Sequence, residues 1–202
     1  IFAAGVTADF RQRPFDTMSS HISAAVEILR QASFESFLYL SSTRVYQQAN
    51  NTLEDGALCI KPNDPLQLYN ASKLAGEAIC LAQTEKTTRV VRISNVYGVD
   101  DPSQNFLADV VHDAIKLGQV TLQTNPRSNK DFVSIEDVIS ILPRIAVHGV
   151  HRVYNVASGK NTRYGDILKV LRAKTGCTIV ADDNNRIVSF PMISVARLVE
   201  EF

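Results

Sequence analysis

Short apolar runs alternate with longer amphipathic stretches along the chain. This pattern predicts β–α units and a parallel sheet. Strands are predicted at residues 1–4, 37–40, 89–93, 120–122, 153–157 and 177–180. Helices are predicted at 15–32, 66–84, 106–117, 164–175 and 191–202, and one more helix follows 132–135 and runs through 147. The polar segment 47–63 predicts a loop, and Asp100-Asp101-Pro102 predicts a break.

Polar side chains follow two of the predicted buried strands. Ser41-Ser42-Thr43 ends the run 37–40, and Asn95 follows the run 89–93. Open α/β sheets bind ligands at the carboxyl ends of their strands, so these groups predict a binding site at that edge. The alternative is that the hydroxyls only end the strand or cap a turn.

Tyr69 and Lys73 occur four residues apart in a predicted helix and therefore share one face. A neighbouring ammonium favours the phenolate form and lowers the pKa of a tyrosine, which can then act as a general base or acid. The spacing alone is weak, because most such pairs are coincidences on helix surfaces. The polar strand ends add the context that turns the pair into a candidate proton-handling site.

The composition is that of an ordinary globular chain, with 202 residues, 45% hydrophobic and 21% charged. Lys plus Arg equals Asp plus Glu at 21 each, so neither nucleic acid nor a membrane surface is an expected partner. Three widely spaced cysteines form neither a disulfide framework nor a metal site, and they favour a reducing cytoplasm. The opening Ile-Phe-Ala-Ala-Gly resembles a strand already in progress, from which we expect an N-terminally truncated chain without a signal peptide.

Five segments together give the chain a specific resemblance to the extended short-chain dehydrogenase/reductase family, in its NAD-dependent epimerase/dehydratase branch. They occur in the family's order along nearly the whole chain, and resemble UDP-sugar 4-epimerases. The segments are 37–46 (FLYLSSTRVY), 69–77 (YNASKLAGE), 92–98 (RISNVYG), 130–138 (KDFVSIEDV) and 154–159 (YNVASG).

The resemblance implies roles for matched residues. Tyr69 would be the catalytic base or acid, Ser42 the catalytic hydroxyl, and Lys73 the residue that binds the nicotinamide ribose and lowers the tyrosine pKa. The implied cofactor-binding residues are Ala4, Gly5, Val6, Tyr69, Lys73, Ile93 and Ser94. The expected substrate-binding residues are Ser42, Thr43, Asn95, Lys130 and Arg186, although a solvated Arg186 is the plainer alternative. Glu54 is a weaker candidate that is expected either to contact substrate or to be solvated.

Several positions depart from the family pattern. The Gly-rich fingerprint for the cofactor pyrophosphate is absent from the sequence, so this chain is expected to bind NAD poorly or not at all. Lys130 stands where the family usually has Arg, which weakens a bidentate diphosphate contact. Thr43 and Arg44 replace an Asp-Glu pair typical of dehydratases, which argues against 4,6-dehydration. His21 stands near a position that is commonly Asn, and a satisfied or exposed histidine is expected there.

The expected fold is α/β, a partial Rossmann-like doubly wound parallel sheet with its first strands missing and a small interleaved α/β substrate lobe. Residues 1–98 and 131–157 are assigned to the NAD-binding part, and 99–130 and 158–202 to the lobe. The resemblance also implies a homodimer formed through helices 15–32 and 66–84.

The leading functional hypothesis is a cytoplasmic NAD-dependent epimerase that acts at C4 of a nucleoside-diphosphate sugar, with NADP left open as cofactor. Tyr would remove a hydroxyl proton as a hydride passes to NAD, and the reverse step would follow. A reductase of sugar nucleotides that consumes NAD(P)H is one alternative. A non-catalytic nucleotide-binding regulator on the same scaffold is another, and the fragment itself could be inactive.

Overall fold

The computed structural model describes residues 1–7, 9–83, 87–98 and 105–202, so the predicted break at 100–102 lies outside the described residues. The strands are β1 (Phe37–Ser42), β2 (Thr88–Ile93), β3 (Asn95–Tyr97), β4 (Gln119–Leu122), β5 (Asn129–Ser134), β6 (Val153–Val156), β7 (Asn161–Arg163) and β8 (Thr178–Ala181). The helices are α1 (Pro14–Met18), α2 (Ala24–Gln31), α3 (Leu68–Leu81), α4 (Phe106–His112), α5 (Ile135–His148), α6 (Tyr164–Thr175) and α7 (Ala196–Glu201). None of the helices in these segments is long and apolar enough to cross a membrane.

The central sheet is parallel, in the order β1-β2-β6. Ser42 at the end of β1 lies opposite Ile93 of β2, and Ile93 lies opposite Val156 of β6. The predicted strand at 1–4 is reduced to one parallel bridge between Phe2 and Tyr39 on β1. Because the strands run in the same direction, their carboxyl ends meet at one edge of the sheet, as the sequence pattern predicted.

Side chains of the central sheet alternate between two apolar layers. Leu38 packs with Ile145 of α5 on one face. Tyr39, one residue later, packs with Ala25 of α2 and Cys80 of α3 on the other face. All of these side chains are fully buried, and each large one contributes about 1.5–3 kcal/mol on transfer from water. Helices therefore cover both faces, and the mixed α/β fold with parallel sheets is confirmed.

A second core lies outside the central sheet. Strands β4 and β8 pair in parallel and pack against α4 and α6, with Val110, Val120, Tyr164, Leu168 and Cys177 buried between them. The boundaries assigned to the two parts of the chain stay a prediction. Within the stretch 131–157, β6 joins the central sheet, whereas β5 pairs with β3 and β7 in a separate small sheet.

Three strands were absent from the sequence prediction: β3, β5 and β7. They form a small sheet by pairing with one another, since β3 is parallel to β5 and β7 is antiparallel to it. The predicted helix 191–202 is also shorter than expected, since only Ala196–Glu201 is helical. Ser194, in the part that is not helical, instead forms hydrogen bonds with Thr52 and Asn155.

The predicted helix 15–32 forms as α1 and α2 joined through a π-helical turn, Ser19–Ser23. The most deeply buried face of this helical segment is partly polar. Thr17, His21 and Ala25, four residues apart, are fully buried, while Met18 is 39% exposed. Two polar residues on the buried stripe mean that this helix face contributes hydrogen bonds as well as packing.

Candidate active site

Helix α3 carries Tyr69, Lys73 and Glu77 on one face, since they are four residues apart. They are 7%, 5% and 3% exposed. Glu77 receives two nitrogens of Arg92 on β2, with Nη2–Oε2 at 2.7 Å and Nε–Oε1 at 3.1 Å, and the Ser41 hydroxyl also donates to it. These buried, charge-assisted bonds fix α3 on the sheet and hence set the position of Tyr69.

Lys73 extends from α3 towards the end of β1. Its Nζ donates to the Leu40 carbonyl at 2.9 Å and lies 6.0 Å from the centre of the Tyr69 ring. Burial lowers the pKa of Lys73 to about 8, against the influence of Glu77. An ammonium has three N–H donors. Among the described residues Lys73 uses one of them, so two donors remain.

The Tyr69 phenol and the Ser42 side chain line the same cavity. Burial raises the pKa of Tyr69, while the Ser42 hydrogen bond and the Arg44 charge lower it. The net direction is upward, so the phenol is protonated at neutral pH in this arrangement. Lys73 is not among the groups that lower this pKa here, and the role that the resemblance gave it stays a prediction.

His21 lies next to Tyr69. Its ring meets the Tyr69 ring edge-on at 5.4 Å between centres. Its Nδ1 lies 2.7 Å from the Ser72 hydroxyl, which donates to the Tyr69 carbonyl at 2.8 Å. Sequence reasoning expected a satisfied or exposed histidine, and the structure buries it completely. The signal available was its four-residue spacing from Ala25 on the helix.

A cavity of about 510 Å³ opens beside Ser42 and Tyr69 at the carboxyl edge of the sheet. Seven residues predicted for the site line it, namely Ser42, Thr43, Tyr69, Ser94, Asn95, Lys130 and Arg186. Lys73, Ile93 and the turn 4–6 do not line it. The residues that sequence reasoning did not assign to the site are Thr7, Arg44, Gln47, Leu66, Val188 and Phe190.

Ser94 and Asn95, which line the cavity, are both bonded to Asp131 on β5. The Ser94 hydroxyl and the Asn95 amide nitrogen both donate to the Asp131 carbonyl at 2.8 Å. The carboxylate of Asp131 in turn accepts bonds from Ser158 and Lys160. The bonds to the Asp131 carbonyl hold Ser94 and Asn95 in place at the cavity.

Glu54 corrects an expectation. The sequence analysis expected it to contact substrate or to be solvated, and it does not line the cavity that holds Ser42 and Tyr69. It is 6% exposed, accepts a bond from the Asn155 backbone at 3.2 Å and lies 4.0 Å from Arg197. The expectation that Glu54 is solvated is wrong, because the loop that carries it packs against Asn155 of the central sheet, and contact with substrate stays a prediction.

Comparison with known proteins gives the same family as the sequence motifs. The sequence model of the NAD dependent epimerase/dehydratase family matches residues 2–157. GDP-6-deoxy-D-mannose reductase of Pseudomonas aeruginosa is 31% identical over 148 residues, which cover 67% of this chain and 47% of the reductase. ADP-L-glycero-D-manno-heptose-6-epimerase of Thiobacillus denitrificans is 28% identical over 145 residues, which cover 65% of this chain and 42% of the epimerase. The chain thus spans about half the length of these curated relatives.

Among solved structures, RMD from Pseudomonas aeruginosa complexed with NADPH superposes with a TM-score of 0.81 at 25% identity. The match covers 98% of this chain and 72% of that structure.

Proposed function

Because the chain belongs to the NAD dependent epimerase/dehydratase family, we propose that the protein is an NAD-dependent sugar-nucleotide epimerase acting at C4. The observation that carries the proposal is the shared cavity of Ser42 and Tyr69, with Lys73 on the same helix face. A hydroxyl, a buried phenol and an ammonium in this arrangement are suited to moving one proton to and from a sugar hydroxyl.

In the proposed mechanism, Tyr69 takes the proton of the reacting sugar hydroxyl and returns it when that hydroxyl forms again. Ser42 donates a hydrogen bond to the sugar oxygen and holds it near the phenol. The site must first lower the raised pKa of Tyr69, and positive charge near the phenol does so. Lys130 and Arg186 bind the diphosphate, and the side-chain amide of Asn95 orients the substrate.

The residues present fit the nicotinamide half of NAD. A Cβ added at Gly5 would lie 2.7 Å from His21 Nε2 and 3.4 Å from Lys73 Nζ, so the backbone runs close to both side chains. The two remaining donors of Lys73 suit ribose hydroxyls. The residues that would hold this half are Ala4, Gly5, Val6, Tyr69, Lys73, Ile93 and Ser94. When bound, NAD supplies the hydride acceptor and donor; a Gly-rich seat for its pyrophosphate is not among residues 1–202.

Tyr69→Phe in the natural protein tests the proposal. The substitution removes one oxygen from a residue whose ring is held by packing. It is expected to lower turnover of a nucleoside-diphosphate hexose by at least about 100-fold, while NAD binding measured by calorimetry is kept. Tyr97→Phe, at an exposed phenol outside the cavity, is the matched control. Undiminished turnover by Tyr69→Phe would refute the assignment.

A sugar-nucleotide reductase is the second candidate, because the 31% identical relative is a reductase and the superposed structure was solved with NADPH. An epimerase returns its hydride and consumes no net cofactor. Steady loss of NADPH absorbance with substrate present would therefore favour the reductase. Nucleotide binding without turnover of any sugar nucleotide would favour a non-catalytic regulator.

A further inference from the structure

Arg44 holds an unsatisfied guanidinium beside the candidate proton donor. Its Cζ lies 5.3 Å from the centre of the Tyr69 ring and 5.0 Å from that of Phe10. Its Nη2 makes one long hydrogen bond, to the Leu66 carbonyl at 3.3 Å, and its Nε is buried without a partner. A buried donor left without an acceptor costs about 1–3 kcal/mol, so a ligand that supplies one is favoured.

Among the residues that the structure describes, no acidic side chain forms an ion pair with this guanidinium. Asp64 is near enough to act against the burial that lowers the pKa of Arg44. The Asp64 carboxylate, however, accepts the Leu66 backbone N–H at 2.9 Å as a helix cap. Arg44 therefore keeps both charge and donors for the cavity.

The cavity carries three cations, Arg44, Lys130 and Arg186, and no Asp or Glu among the described residues that line it. Lys130 and Arg186 are also absent from the ion pairs of the described residues. Burial and the charge of Arg44 both lower the pKa of Lys130, so these cations repel one another when the cavity holds no anion. The site is built for a ligand with several negative charges.

The number and place of the charges narrow the ligand. A nucleoside-diphosphate sugar carries two negative charges, one on each phosphate, and Lys130 and Arg186 suffice for these. The third cation lies against Tyr69, where the proposed function puts the reacting sugar. A planar guanidinium matches a carboxylate through two parallel hydrogen bonds.

We propose that Arg44 binds a carboxylate on the sugar, so that the preferred substrate is a nucleoside-diphosphate hexuronate rather than a neutral nucleoside-diphosphate hexose. This inference rests on the proposed function, since it needs the sugar to lie beside Tyr69. It assigns Arg44 as a specificity-determining residue of the same cavity.

The test begins with the natural protein and the free diphosphates UDP, GDP, ADP and dTDP, with binding measured by calorimetry. The diphosphate that binds most tightly identifies the preferred nucleobase. The affinities of its hexose and hexuronate derivatives are then compared as the ratio of their association constants, hexuronate to hexose. The expected result is that the hexuronate binds at least about 10-fold more tightly than the hexose, the scale of one hydrogen bond to a charged group.

Substitutions then distinguish the contributions of the individual cations to binding. Arg44→Gln is expected to bring the hexuronate-to-hexose ratio close to one, and Arg44→Lys to keep part of it, because the charge stays while the paired donors are lost. Lys130→Gln is expected to weaken both sugars by the same factor. Arg172→Gln, at an exposed arginine of α6 outside this cavity, should leave the ratio unchanged and controls for charge at a distance. Circular dichroism of each variant verifies folding.

Two results overturn the inference while leaving the proposed function intact. One is a ratio of one or less in the natural protein. The other is equal weakening of hexose and hexuronate by Arg44→Gln, which would mean that Arg44 serves the diphosphate. Failure of all four diphosphates to bind would instead overturn the proposed function, and this inference with it.

Discussion

His21 makes the stability of this protein depend on pH in a way that can be calculated. The imidazole is fully buried between α3 and the turn at residues 4–6. Burial, and then the charge of Lys73, lower the pKa of His21 from 6.5 to about 4, while a hydrogen bond from the ring to the Val6 backbone opposes the shift. The perturbation is acidification from pH 7 to pH 5, applied to the natural protein and to His21→Gln.

The sign follows from proton binding. Between pH 6.5 and pH 4 the unfolded chain binds a proton at this residue that the folded protein does not, so stability falls as the pH falls. With these two pKa values, the calculated loss between pH 7 and pH 5 is about 2 kcal/mol. The full effect of about 3.4 kcal/mol would be reached only below the folded pKa. The expected loss at pH 5 is a large fraction of the stability of an ordinary domain.

The assay is urea denaturation at half-unit steps from pH 7 to pH 5. Circular dichroism is the probe, because the sequence contains no tryptophan. The quantity of interest is the change in unfolding free energy with pH in the natural protein minus that in His21→Gln. This difference removes the contribution of all other titrating groups. His148→Gln, at an exposed histidine, is the matched control and should behave like the natural protein.

Equal pH dependence in the natural protein and His21→Gln would refute the reasoning. It would mean that His21 titrates alike in the folded and unfolded chains, which a buried imidazole beside an ammonium should not do. A steeper loss in the variant would refute it as well.

Three further predictions concern the framework of the site. Glu77→Gln leaves the Arg92 guanidinium buried without a counter-charge and is expected to lower the unfolding free energy by about 3–5 kcal/mol in urea titrations. Gly76→Ala is expected to lower the melting temperature, because an added Cβ would overlap the ring of a tyrosine and such overpacking costs about 1–3 kcal/mol of stability. A smaller drop in melting temperature than that of Gly165→Ala would contradict this. Iodoacetamide should modify only Cys59 in the folded protein, and the two buried thiols only after denaturation, as intact mass would reveal.

The parts of the site that depend on local pattern could be predicted from the sequence. Ser42 follows a buried apolar run, and Tyr69 and Lys73 share a helix face by spacing alone. Parallel strands bring such ends to one edge without further information. The cavity that contains Ser42 and Tyr69 therefore lies where the pattern predicted a ligand site.

The parts that depend on tertiary pairing could not be predicted. β7 is a polar tripeptide whose strand form comes from its pairing with β5. For Arg44 the sequence indicated only a departure from the dehydratase pattern, and its position between two aromatic rings beside the cavity depends on tertiary contacts. Glu54 looked like an ordinary loop acid because nothing in its neighbours along the sequence signals the distant Asn155.

The site draws its two kinds of chemistry from two parts of the fold. The proposed proton-handling groups Ser42 and Tyr69 lie on the central sheet and on the helix that Glu77 ties to it. The cation Lys130 lies on β5, which pairs with β3 and β7 outside that sheet, and Arg186 lies in the segment beyond β8. A polyanionic ligand would therefore contact both parts at once. Its charge would offset the mutual repulsion of the cations only when the sugar also reaches Tyr69, which couples binding of the diphosphate to placement of the reacting sugar.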